Sequence, residues 1–173
     1  MSDAPDAQVP PQVLQLAISE EVPDRMEAGL RLASFAGQST VDALPHRLLL
    51  DDENTAVTYE TAEALLARKD LAGARAVARA IAEADPRDLT TAWIGDAVHN
   101  EWRMRQEDLD LGHRLCEALL NSDEAPVRQG AAALAAYLDH GAWPGGPIPS
   151  VSQPRRPGLL ARLRAHARPR PHR

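Results

Sequence analysis

From Val13 to about Asp139 the chain keeps a helical apolar rhythm and interrupts it only with short turns. No segment alternates apolar and polar residues at period two over the length of a strand. The interruptions fall at Pro23, Gly37-Gln38-Ser39-Thr40, Asp51-Asp52-Glu53-Asn54, Lys69-Asp70, Asp85-Pro86, Gln106-Glu107-Asp108 and Asn121-Ser122-Asp123. Asp, Ser, Thr and Asn at such places cap the helix that follows, because their side-chain oxygens accept from its unpaired first N–H groups. Pro86 suits a first helical turn, where no N–H is needed. The pattern predicts helices near 13–20, 24–36, 41–50, 55–68, 71–84, 87–105, 108–120 and 125–139. Ala and Leu, among the best helix formers, dominate these stretches, and aromatic residues make up only 3% of the chain.

The 173 residues, 44% of them apolar, are enough for one domain with a packed core and hardly for two. No run approaches the roughly 18 uncharged apolar residues of a membrane span. Residues 1–12, with Pro5, Pro10 and Pro11, read as a disordered polar segment without the apolar stretch of a signal peptide, so a cytoplasmic protein is expected. The single cysteine, Cys116, excludes an internal disulfide and a cysteine-rich zinc site.

Charge is distributed unevenly behind the net value of -6. Residues 154–173 carry seven arginines and no acid, which leaves the rest with 12 basic against 25 acidic side chains, a balance of -13. An acidic body disfavours nucleic acid as its partner; the basic tail alone would favour it.

The helices also repeat. Leu48-Leu49-Leu50-Asp51-Asp52-Glu53-Asn54-Thr55-Ala56-Val57 matches Leu119-Leu120-Asn121-Ser122-Asp123-Glu124-Ala125-Pro126-Val127: an apolar helix end, an acidic turn, then valine. Thr61, Ala62, Ala64 and Leu65 follow the first valine at the offsets of Ala131, Ala132, Leu134 and Ala135 after the second. Looser copies lie around Leu89 and Val22, so that Val22, Val57, Leu89 and Val127 are spaced by 35, 32 and 38 residues. That period is the size of a helix–turn–helix unit, which cannot bury its apolar face alone.

These residues resemble HEAT repeats, over roughly 20–141 and most clearly in 44–70 and 114–141. The resemblance implies an all-α fold, a right-handed α-solenoid of about three to four HEAT-like helix pairs with disordered termini. It also implies a concave face of the kind that commonly binds proteins and sometimes nucleic acid. The packing logic agrees. Small alanines at 62, 64, 131–133, 135 and 136 let helices approach, and leucines at 48, 49, 65, 66, 115, 119 and 120 fill between them. The chain divides into a disordered 1–12, a helical repeat domain 13–141, a Pro/Gly-rich linker 142–157 and an Arg-rich tail 158–173.

Little in the chain carries chemistry. The six histidines (46, 99, 113, 140, 166 and 172) include no pair at helical i,i+4 spacing, and neither a phosphate-binding glycine loop nor a nucleophile elbow is present. Asp51-Asp52-Glu53 lacks the spacing and glycine of a calcium loop and reads as capping the next helix. Cys116 lies in an apolar helix and reads as a small core residue. No cofactor and no metal are expected.

The candidate partner-contact residues are Trp102, Asp96 and Asn100 on the helix over 87–105, and Arg155, Arg156, Arg162 and Arg164 in the tail. Asp96 and Asn100 stand one turn apart beside Trp93 and His99, a pairing that also suits a solvated edge. Leu89, Trp93, Ile94, Ala97 and Met104 form one broad apolar side; at about 100° per residue Trp102 lies roughly 155° from its centre. Trp102 is therefore either exposed, as at a binding hot spot, or under a neighbouring helix. Trp143 opens a Pro/Gly stretch and can pack over the last helix. In the tail, Leu159, Leu160, Leu163 and Ala167 would share one side of a short helix opposite arginines, suited to anionic membrane or nucleic acid; the plainer reading is a disordered basic segment drawn to the acidic body.

Three functions are consistent with this. The first is a non-catalytic protein-binding module with an acidic surface and a basic protein partner; a toxin-neutralising immunity protein is one version of it. The second is a nucleic-acid-associated protein acting through the arginine tail. HEAT-like DNA-repair glycosylases have basic grooves, against which the acidic body argues. The third, an enzyme, is disfavoured by the missing motifs.

Overall fold

The computed structural model describes residues 8–85 and 89–144. Over these residues the chain is all-helical, without a strand. The helices are α1 (Pro11–Ala17), α2 (Val22–Leu32), α3 (Ala43–Leu49), α4 (Thr55–Leu66), α5 (Leu71–Glu83), α6 (Thr90–Val98), α7 (Gln106–Leu119) and α8 (Ala125–His140). A 3₁₀ turn, Ala33–Phe35, closes α2, and a π-helical segment, His99–Arg103, extends α6. The helix expected over 87–105 is thus two pieces of different winding, and residues 86–88 lie outside the described part, as do 1–7 and everything after 144.

Local chemistry places several of the boundaries. Asn54 caps α4, its Oδ1 accepting from the Ala56 N–H at 3.0 Å, and Asp70 caps α5, accepting from the Gly73 N–H at 2.9 Å. α8 stops at Gly141, whose φ of 70° a side chain would resist. Pro11, Pro23 and Pro126 stand in the first turns of α1, α2 and α8, where a missing N–H costs nothing.

α2, α4 and α6 follow one another side by side, while α3 and α7 both pack on α5. α8 departs from this alternation and lies along α5, with α7 on its other flank. Two of these crossings have no room for even a methyl group. A Cβ on Gly29 of α2 would run into the Thr61 hydroxyl of α4, and one on Gly130 of α8 would run into the Ala78 carbonyl of α5. Close backbone approach of this kind lets short helices bury large fractions of their faces.

The apolar interior has two parts. A smaller one gathers Val9, Val13, Ala17, Ala28, Leu32, Val41, Leu48 and Val57 around α1–α3. A larger one runs through α4–α8 and includes Leu65, Leu66, Val77, Ile94, Trp102, Cys116, Val127 and Leu134. At matching offsets of the two clear sequence copies, Val57 and Val127, Thr61 and Ala131, and Ala64 and Leu134 are buried, whereas Ala62 and Leu65 are fully buried and their counterparts Ala132 and Ala135 are exposed and half-buried. The looser copy fails at its key position, because Leu89 is 48% exposed at the start of α6.

Candidate partner-contact site

The site is built around α6 and its π-helical extension. The buried stripe of this stretch is Thr90, Ile94, Ala97, Val98 and Trp102. A π segment closes with i→i+5 bonds and turns less per residue than an α-helix. It therefore carries Trp102 back toward the line of Ile94 and Val98 instead of past it. Trp102 is 0% exposed, and its Nε1–H donates to the Leu66 carbonyl at the end of α4 at 3.2 Å. Of the two readings open for Trp102, the buried one holds: it is a core anchor and has no surface to give a partner. The apolar side expected from Leu89 and Met104 is corrected as well, since both are about half exposed, at 48% and 52%.

Asp96 and Asn100 are exposed, on the other side of the same stretch. Asn100 Nδ2 donates to the Tyr59 hydroxyl at 2.9 Å, and that hydroxyl donates to Glu63 Oε1 at 2.9 Å. The Tyr59 ring meets Trp93 edge-on, at 6.4 Å between centroids and 80° between planes. Asn100 and Trp93 thus join Tyr59 and Glu63, one turn apart on α4, in a cluster that the sequence reading did not assemble. Burial raises the Tyr59 phenol strongly, with the Glu63 charge acting in the same direction, so it stays protonated and keeps donating. Packing around the Asp96 carboxyl pushes it up, against the pull of His99.

The opposite flank of α6 is aromatic. Tyr137 of α8 donates through its hydroxyl to the Gly95 carbonyl at 2.9 Å, which Gly95 permits by leaving space for the ring. Trp143 stacks on Tyr137 at 4.4 Å and 30°, as a cover for the end of α8, and the Arg103 guanidinium lies 5.8 Å from the same ring. Arg155, Arg156, Arg162 and Arg164, with the linker and the tail, lie outside the described residues.

The remaining residues singled out by sequence have structural employment. Asp51 accepts from the Glu53 and Asn54 N–H groups and pairs with the buried Arg25 at 2.7 Å, while Glu53 pairs with Arg25 at 2.9 Å. Arg25 also reaches the Ser19 and Glu20 carbonyls, so the acidic turn is a clamp between α2 and α4. Beside it opens a cleft of about 150 Å³ lined by Ile18, Arg47, Leu50 and Asp52. His46 pairs with Glu83 at 2.9 Å and His113 with Asp139 at 3.6 Å. Among the described residues no three His, Cys, Asp or Glu side chains are grouped to hold a metal ion, and no helix is long and apolar enough to cross a membrane.

The described residues form an all-helical fold in which Tyr59 and Glu63 of α4 meet Asn100 and Trp93 of the α6 stretch. Neither a protein family, nor a curated protein, nor a solved structure matches the chain.

Proposed function

We propose that the chain is a non-catalytic protein-binding module, a right-handed α-solenoid of three to four HEAT-like helix pairs whose acidic surface receives a basic protein partner. The side-by-side run of α2, α4 and α6, next to α3, α5 and α7, supports stacked pairs; α8, lying along α5, is the departure from that pattern.

The observation that carries the functional reading is the fate of the cations. Arg25, Arg31, Arg68, Lys69, Arg75, Arg79 and Arg105 are engaged by carboxylates of the same chain. Exposed Glu20, Asp52, Asp96, Glu117 and Asp123 make no ion pair among the described residues. Exposed Arg47, Arg114 and Arg128, the last bonded to the Ser122 carbonyl, and half-buried Arg103 over the Tyr137 ring are a partial counterweight. What remains to face solvent is therefore mainly acidic, which steers a basic partner and sets specificity more than raw affinity.

The test is a capture from native cell extract with the full chain and with a variant carrying Asp96→Asn, Glu117→Gln and Asp123→Asn. The reading expects a basic protein retained at low salt, weakened at moderate salt and weakened again in the variant. Equal retention by both proteins at both salts contradicts it.

A further inference from the structure

Glu63 is 8% exposed and lies on an otherwise apolar stretch of α4. Its Oε1 accepts from Tyr59, but its Oε2 is buried without any hydrogen-bond partner. A buried carboxylate oxygen left without a donor is costly, and native proteins rarely keep one without a use. Tyr59 links Glu63 to two further groups: the Asn100 amide, which donates through Nδ2 to the Tyr59 hydroxyl, and Trp93, only partly covered, which meets the Tyr59 ring edge-on. Asp96, one turn before Asn100, adds an exposed carboxylate on the same stretch.

We propose that Glu63, Asn100 and Trp93 form a subsite for a guanidinium group, the side chain of an arginine on the basic protein partner. This rests on the reading of the chain as a binder of such a partner and names the group that is recognised. A guanidinium fits because it brings five N–H donors and no acceptor, and because its plane stacks on an indole face. Entry runs through the exposed Asn100–Tyr59 hydrogen bond. When it opens, the Asn100 amide nitrogen turns to water, the guanidinium gives one N–H to Glu63 Oε2 and another to Asn100 Oδ1, and Tyr59 keeps its bond to Oε1. A lysine ammonium brings charge to the same place but neither the fork nor the stacking plane.

The test uses the full chain labelled with ¹⁵N and two probes, N-acetyl-arginine methylamide and N-acetyl-lysine methylamide, followed at the Trp93 indole N–H and the Asn100 side-chain amide. The arginine probe is expected to shift both signals with saturation, and the lysine probe to bind more weakly. Glu63→Gln should weaken the arginine probe about tenfold, the scale of one hydrogen bond to a charged group. Trp93→Leu, which leaves Glu63 in place, should abolish the preference for arginine over lysine. Equal shifts by the two probes, or unchanged affinity in a folded Glu63→Gln chain, overturn the subsite.

A full chain with Arg155, Arg156, Arg162 and Arg164 changed to Gln identifies the source of the guanidinium. Unchanged Trp93 and Asn100 signals in that variant, without probe, support the partner. Signals that move, with tighter probe binding, assign the group to this chain's own arginines and overturn the partner as its source. Arginine binding that persists while extract capture yields no basic protein sinks the proposed function but leaves the subsite standing.

Discussion

Trp102 Nε1–H donates to the Leu66 carbonyl at 3.2 Å, which ties the π-helical end of α6 to the last residue of α4. The indole is fully buried beside Gly112 of α7, where a side chain would collide with the ring. Trp102→Ala should therefore cost about 3–5 kcal/mol, and Trp102→Phe, which keeps most of the packing but removes one of the two hydrogen bonds to the Leu66 carbonyl (the Lys69 N–H keeps the other), about 1–2 kcal/mol. Urea unfolding followed by far-UV circular dichroism measures both. A cost for Trp102→Ala below that of an ordinary surface change would remove it from the core.

The α5–α8 crossing predicts a sharp intolerance at Gly130. Alanine there gains helix propensity, on the order of 1 kcal/mol. It also pushes a methyl into the Ala78 carbonyl, and a backbone atom in a packed helix cannot move aside cheaply. Overpacking should win, with a net loss of about 1–3 kcal/mol and a lower Tm.

Thr58 offers the opposite sign. It is 0% exposed and its hydroxyl has no hydrogen-bond partner. Thr58→Val keeps the shape and removes the unpaired polar atom, so it should stabilise the protein by about 1 kcal/mol in the same unfolding assay.

Asp70 gives a pH dependence. Partial burial pushes its carboxyl up, but hydrogen bonds from Arg68 and from the Gly73 N–H outweigh this and hold it below its ordinary value. A depressed carboxylate stabilises the fold above the unfolded value near 3.9 and loses that contribution as pH falls through the folded one. The stability gap between the wild type and Asp70→Asn should be present at neutral pH and close below about pH 4. Because Asp70 is 43% exposed, the gap should stay within about 1 kcal/mol.

Cys116 should be silent in the folded chain. Burial, aided by the Asp139 charge, pushes its thiol up to about 12. Iodoacetamide at pH 8 should leave the native protein unmodified and alkylate it in urea. The raised thiol contributes stability that is fully present below the unfolded value near 8.5 and fades as pH rises from there toward the folded one.

Turn chemistry marks part of the helix pattern: Asn54 and Asp70, read as caps, do cap α4 and α5, whereas α3, α6, α7 and α8 begin without a side-chain cap and α7 starts at Gln106, inside the expected turn. The two sequence copies agree in burial at Val57 and Val127 and at Ala64 and Leu134, and part at Ala132, which is exposed where Ala62 is buried, because α8 lies along α5 and α4 lies between α2 and α6. The face of α6 was not legible, because Leu89 and Met104 are apolar yet exposed, and because no residue type announces a π turn before Trp102. Asp96 and Asn100 were found as a polar pair. Tyr59 and Glu63 were not, since their link to Asn100 spans 41 residues of sequence and exists only once α4 and α6 are packed.

The most direct test of the central claim is capture from native extract by the full chain and by a form ending at Ser150, with and without nuclease. The account predicts that both forms retain the same basic protein and that nuclease changes nothing. Retention by the full chain alone, of material that nuclease removes, would contradict it and make the arginine tail the working part.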